Sequence, residues 1–192
     1  NEIQTLSSAG ANRTYVTIDQ VPINLQHAFI AIEDERFYEH NGIDMKGILR
    51  AASITLSSGH MSQGASTITQ QLIKNNVFNA YNESDIEKIK RKVQEQYLAI
   101  KLETVMSKKS ILENYLNTIN LGNGYYGVQA AAKGYFNKDV SELSLSECAV
   151  IASITKSPTG LNPIRHADRN RDRQSQVLLN MKDQGYISQA EY

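Results

Sequence analysis

Apolar residues recur at helical spacing along nearly the whole chain. After Pro22, which suits the first turn of a helix, Leu25, Phe29 and Ile32 follow at i, i+4 and i+7. The spacing predicts a second helix from Asp44 to about Ser58, ended by Gly59, and a third over much of "STITQQLIKNN", residues 66 to 76. The longest pattern lies in "NESDIEKIKRKVQEQYLAIKLETVM", where Ser84 and Glu87 form a capping box. Ile86, Ile89, Val93, Tyr97 and Ile100 make one apolar stripe there. Leu98 and Leu102 add apolar residues on another face, so the second half of this helix is expected to be buried on two sides. Further helices fit "KSILENYLNTI", "GVQAAAKGYF", "LSECAVIASI" and "DRNRDRQSQVLLNMKDQG", the last closing at Gly185. Only "RTYVTI", residues 13 to 18, reads as a strand. The expected class is mainly α.

Composition narrows the function more than the fold. Twenty basic and twenty acidic side chains cancel, which argues against a general nucleic-acid binder. The single cysteine, Cys148, excludes an internal disulfide and sits in the apolar run "ECAVIASI", a core position. No stretch reads as a transmembrane span or signal peptide, and the chain starts at Asn1. It is therefore expected to be a fragment of a longer protein.

Four stretches carry candidate chemistry. In "EDERFYEH", Glu33 falls four residues after Phe29 and three after Ile30, so its carboxylate emerges beside apolar side chains with Asp34 and Glu35 adjacent. Apolar surroundings and neighbouring like charge make a carboxylate a better base. The plainer alternative is a solvated acidic helix end. Glu95 lies four residues after Arg91 and three before Leu98, which suits either a second functional carboxylate or an ordinary i,i+4 ion pair. In "GASTITQQLIKN", hydroxyls, two glutamines and Lys74 crowd a helix start, where sugar hydroxyls or phosphates find partners; the plainer alternative is that Ser66 is a simple N-cap. In "KIKRK", Arg91 and Lys92 are suited to a diphosphate or to a solvated basic face. The mixed run "RHADRNRDR" reads as surface. No His/Cys/Asp/Glu spacing forms a metal site, and no phosphate-binding loop or dinucleotide fingerprint is present.

Taken together, the stretches resemble the peptidoglycan glycosyltransferases of glycosyltransferase family 51, in order from about Pro22 to Pro163. "EDxxFxxHxG" is met by Glu33, Asp34, Phe37, His40 and Gly42, and "GxSTxTQQ" by Gly64, Ser66, Thr67, Thr69, Gln70 and Gln71, followed by Lys74. "RKxxE" is met by Arg91, Lys92 and Glu95, "ILExYLN" by residues 111 to 117, and the last block by "AVIASITKSPTGLNP". Asn120 stands where an aromatic is common, and Leu161 where tyrosine is frequent.

The resemblance implies a two-lobed, lysozyme-like fold with a smaller membrane-proximal jaw, one glycosyltransferase domain over residues 1–192. It implies polymerisation of lipid II into β-1,4-linked glycan strands, with inversion, from an undecaprenyl-diphosphate donor. Glu33 matches the base for the acceptor's 4-hydroxyl and Glu95 the second essential glutamate, near the diphosphate. Lys74, Arg91, Lys92 and Lys156 match phosphate-holding cations. Asp34, Phe37, His40, Ser66, Thr67, Thr69, Gln70, Gln71, Asn117 and Asn120 match further substrate-side positions. Residues 48 to 61 correspond to the membrane-facing jaw, so Ile54, Leu56 or Met61 would touch lipid.

No cofactor is required on this resemblance, although a divalent cation could assist departure of the diphosphate. The implied partners are lipid II, the growing lipid-linked strand, the membrane surface, a C-terminal transpeptidase domain and other wall-synthesis proteins, with no nucleic acid. The implied place is the outer face of the bacterial cytoplasmic membrane, held by an N-terminal transmembrane helix outside the sequence. Two other readings keep the same fold: a lysozyme-like enzyme that cleaves peptidoglycan, and an inactive scaffold of wall synthesis. A hydrolase has no use for cations around Glu95, and a degenerate scaffold would be expected to lose charged residues that are all present here.

Overall fold

The computed structural model describes residues 14–58, 66–78 and 83–192. Gly59, Met61, Gly64 and Arg13, which figure in the expectations above, lie outside these. The described residues form α1 (Ile23–Glu33), α2 (Met45–Ser58), α3 (Ile68–Val77), α4 (Asp85–Val105), α5 (Lys108–Thr118), α6 (Val128–Phe136), α7 (Leu145–Ser153) and α8 (Ala167–Asp183), with short 3-10 turns between some of them. The mainly α class holds, and the helices fall where the apolar spacing puts them. Contacts divide the chain into two compact units, residues 33–115 and residues 1–32 with 116–192.

In the second of these units, α7 packs along α8. Leu25, Phe29, Leu116, Leu121, Val128, Ile151, Ile154, Val177 and Met181 form its core, and Cys148 is buried as expected. The amides of Asn180 and Gln184 donate to the carbonyl of Ala31, tying the end of α8 to the end of α1. Gly185 closes α8: its φ is +78°, its N–H reaches the carbonyl of Lys182, and the N–H of Tyr186 reaches that of Met181.

Over residues 14 to 18, the described part of the expected strand, no strand is formed. Among the described residues there is no strand, only an isolated bridge between Asn120 and Tyr126. Thr14 to Thr17 run without regular structure into the 3-10 turn Ile18–Gln20. The reason is that a side chain takes the place of a neighbouring strand. Asn117 accepts from the N–H of Val16 at 2.9 Å and donates to its carbonyl at 2.8 Å, so one amide satisfies both backbone groups.

In the unit 33–115, α3 packs on α4 over Phe37, Ile68, Leu72, Ile73, Ala99, Ile111, Leu112 and Tyr115. The capping box at Ser84 is made: Glu87 accepts from the N–H of Ser84, and Ser84 from that of Glu87. The expected burial of the α4 stripe is not. Ile86, Ile89, Val93, Tyr97 and Ile100 are 44% to 67% exposed, and the fully buried residues are Glu95 and Ala99. Glu95 stands two residues from Val93 and from Tyr97, about 200° around the helix from either. The carboxylate turns inward because adjacent cations neutralise it. Ala99 turns inward because Gly42, with φ +88°, packs so close that a Cβ there would lie 2.6 Å from the Ala99 carbonyl carbon. Among the described residues no helix is long and apolar enough to cross a membrane.

Candidate active site

The end of α1 separates two adjacent carboxylates. Asp34 is buried and fully engaged: it accepts from Nε2 of His40 at 2.9 Å and from the N–H of Ile68 at 2.9 Å. The N–H of Gly42 can only donate, and it meets Nδ1 of His40 at 3.1 Å, so the ring proton sits on Nε2 and faces the Asp34 carboxylate. Lys108 Nζ lies 3.3 Å from the same Nδ1, 4.6 Å from the centre of the Phe37 ring, and 2.8 Å from Glu103. Glu33, by contrast, is half-buried, with Oε2 accepting from Nε2 of Gln71 at 2.8 Å.

The first turn of α3 distributes its polar groups to several neighbours. Thr67 caps the helix by accepting from the N–H of Gln70 and donates to the carbonyl of Gly42 at 2.8 Å. Thr69 donates to Glu103 at 2.6 Å, and the buried Gln70 reaches the Gly42 carbonyl. These three side chains face inward and hold α3 in place. Ser66 and Gln71 are only half-buried, and Lys74, one turn further on, is exposed.

Glu95 is held from two sides. Arg91 donates to one of its oxygens, and Lys92 donates to the other at 2.8 Å while also donating to Ser66 at 2.7 Å. Arg91 also makes a paired contact with Glu83, at 2.8 and 2.9 Å. Burial works against the charge of Arg91, but Glu83 and Glu95 outweigh it and hold the guanidinium's pKa above its ordinary value. The notable geometry is the full burial of Glu95: its carboxylate acts on Arg91 and Lys92, and the side chain of Lys92, 44% exposed, is the part of the cluster that meets solvent.

The structure therefore joins Glu33, Asp34, Phe37, His40, Ser66, Thr67, Thr69, Gln70, Gln71, Lys74, Arg91, Lys92 and Glu95 within one unit. Asn117, Asn120 and Lys156 belong to the other. Asn117 is buried against Val16, Asn120 accepts from the N–H of Gly122 within its own turn at 2.9 Å, and Lys156 is exposed at the end of a 3-10 turn. Glu83, Glu103, Lys108 and Tyr115 complete the networks and are missed by reading the sequence. Of these only Tyr115 carried a signal, a hydroxyl in the apolar "ILENYL" run. Among the described residues no group of three or more His, Cys, Asp or Glu is arranged to hold a metal ion.

This helical chain thus carries a half-buried carboxylate, an amide-rich helix start and a buried glutamate clamped by two cations. The chain belongs to the Transglycosylase family, the peptidoglycan glycosyltransferases, whose profile matches residues 1–182. It is 51% identical over 180 residues to penicillin-binding protein 1A of Escherichia coli K12, covering 94% of this chain and 21% of that protein. To penicillin-binding protein 1F of Bacillus subtilis 168 it is 47% identical over 180 residues, covering 94% and 24%. The crystal structure of penicillin-binding protein 1A from Haemophilus influenzae matches with a TM-score of 0.57 at 28% identity, covering 95% of this chain and 17% of that one. The chain thus spans between about a sixth and a quarter of the length of these relatives.

Proposed function

We propose that this domain polymerises lipid II into β-1,4-linked glycan strands. The observation that carries the proposal is the pairing, within one unit, of a half-buried Glu33 oriented by Gln71 with a cation cluster built on Glu95. Glu33 takes the proton of the acceptor's 4-hydroxyl as that oxygen attacks the donor's anomeric carbon. The bond from that carbon to undecaprenyl diphosphate breaks, and the lipid diphosphate leaves. An α-linked donor yields a β product only if attack comes from the face opposite the leaving group, which calls for separate base and diphosphate sites.

Lys92 and Lys74, both reaching solvent, and Arg91 stabilise the charge that develops on the diphosphate. Glu95 is assigned here as the residue that fixes Arg91 and Lys92, because its own oxygens are taken by them. Asp34, Phe37, His40, Thr67, Thr69 and Gln70 support the site from within, since their burial leaves them no surface to offer a substrate; Ser66 and Gln71 remain the candidates for contact.

The partly exposed apolar residues Leu49, Ile54 and Leu56 of α2 and the α4 stripe, beside Arg50, Lys90 and Lys101, support work at a membrane surface. The parent protein is proposed to be membrane-anchored, outside the cytoplasm, with a transpeptidase domain.

Purified lipid II in detergent or vesicles, incubated with this domain and with Glu33→Gln, tests the assignment. Strands from the parent and a loss of roughly 10²- to 10⁴-fold in the folded variant are expected. Equal activity would remove Glu33 from its role. Cleavage of preformed strands, without growth, would assign the domain to the hydrolases instead.

A further inference from the structure

We propose that Tyr115 is a positioning residue: acting through Gln71, it holds in place the amide that donates to Glu33. The inference rests on the reading of Glu33 as the acceptor's base. Tyr115 is fully buried on α5, Gln71 lies on α3 and Glu33 ends α1, so the link joins three helices. The Tyr115 hydroxyl donates to Oε1 of Gln71 at 3.0 Å, and Nε2 of Gln71 donates to Oε2 of Glu33 at 2.8 Å.

Donor and acceptor chemistry gives this chain a direction. An ionised carboxylate offers acceptors only, so the amide must present nitrogen to Glu33 and oxygen behind it. The Tyr115 hydroxyl then satisfies the oxygen left at the far side and holds the amide between two partners. Burial first, and then the charges of Glu33 and Asp34, raise its pKa well above the ordinary value, so the hydroxyl keeps its proton. Without the hydroxyl the Gln71 oxygen loses its partner, and the amide is held from the carboxylate side alone. The amide can then shift, and the base that it orients shifts with it. The proton acceptor is therefore placed by a side chain remote from the substrate.

Tyr115→Phe keeps the buried ring and removes only the hydroxyl. Polymerisation of lipid II is followed across pH for the parent, Tyr115→Phe, Gln71→Leu, the double variant and Glu33→Gln, with melting temperatures for each. Tyr115→Phe is expected to lower kcat about 10-fold with KM within about 2-fold. The acidic limb of its profile should move to higher pH, because a carboxylate that loses a hydrogen-bond donor holds its proton more tightly. Gln71→Leu, which breaks the link from the other end, should move the limb the same way, and the double variant should be no worse than Gln71→Leu.

An unmoved limb in Tyr115→Phe, with kcat unchanged or with kcat loss tracking a lower melting temperature, would overturn the proposal. So would losses in the two single variants that add in full. An inactive Glu33→Gln beside an unaffected Tyr115→Phe would reject Tyr115 alone. A fully active Glu33→Gln would reject the base assignment and this inference with it.

Discussion

Lys92 on α4 and Ser66 at the entrance to α3 meet at 2.7 Å, and the same ammonium holds Glu95 at 2.8 Å. One cation thus ties two helices to a buried carboxylate. Breaking a buried charge pair from one side leaves the other charge without compensation, whereas truncating its solvent-exposed member costs much less.

Glu95→Gln should therefore destabilise the domain by roughly 3 kcal/mol. Lys92→Ala, with Arg91 still in place, should cost about 1 kcal/mol or less. Urea titrations of the two variants measure the difference, and equal costs would mean that Glu95 is not compensated as the geometry indicates.

Gly42 and Gly185 share a positive φ but differ in their surroundings. A Cβ at Gly42 meets the Ala99 backbone at 2.6 Å, and one at Gly185 meets nothing within 4 Å. Gly185→Ala should cost about 1 kcal/mol, the strain of the backbone conformation alone. Gly42→Ala should cost roughly 3 kcal/mol or more, strain and clash together. Thermal melts of the two variants check the order.

Asp44 accepts from Arg36 at 2.6 and 3.2 Å and from the N–H of Gly47 at 3.0 Å, capping α2. Burial opposes its ionisation, but Arg36 and Gly47 outweigh it and hold its pKa below the ordinary 3.8. A folded pKa below the unfolded one stabilises the fold above the unfolded pKa, and that contribution is lost as pH falls through the folded value. Asp44→Asn should be less stable than the parent by about 1–2 kcal/mol at neutral pH. The gap should close as pH falls below about 4, as read from urea midpoints at three pH values.

The exposed α4 stripe predicts separate effects on stability and on membrane binding. Val93→Asp and Tyr97→Asp touch no packed core, so stability should stay within about 0.5 kcal/mol. Co-sedimentation with vesicles containing anionic lipid should fall several-fold, since the apolar side chains beside Lys90 and Lys101 would no longer enter the interface. Unchanged sedimentation would place membrane contact elsewhere.

The helices were legible because local rules set them. Periodicity, the Ser84–Glu87 box and the glycine stop at Gly185 act within a few residues, and each appears as its spacing predicts. The residue types of the candidate site were legible too, because the motif pattern marks Glu33, Gln71, Arg91, Lys92 and Glu95 as a set. Their division of labour was not. Asp34 and Glu33 are neighbours in sequence, yet one is buried on His40 and the other faces Gln71.

Three features depended on partners distant in the chain. The α4 helix buries Glu95 and exposes Ile89 and Val93 because cations and the Gly42 backbone meet that face, against the apolar pattern. Residues 14–17 stay out of a sheet because Asn117, 101 residues from Val16, supplies both of Val16's hydrogen bonds. Tyr115 gains its place through Gln71, 44 residues before it. Sequence determines which groups are available and how they repeat along each helix. Only the tertiary structure decides which of them are desolvated together, because burial and charge compensation are settled between elements that local spacing cannot relate.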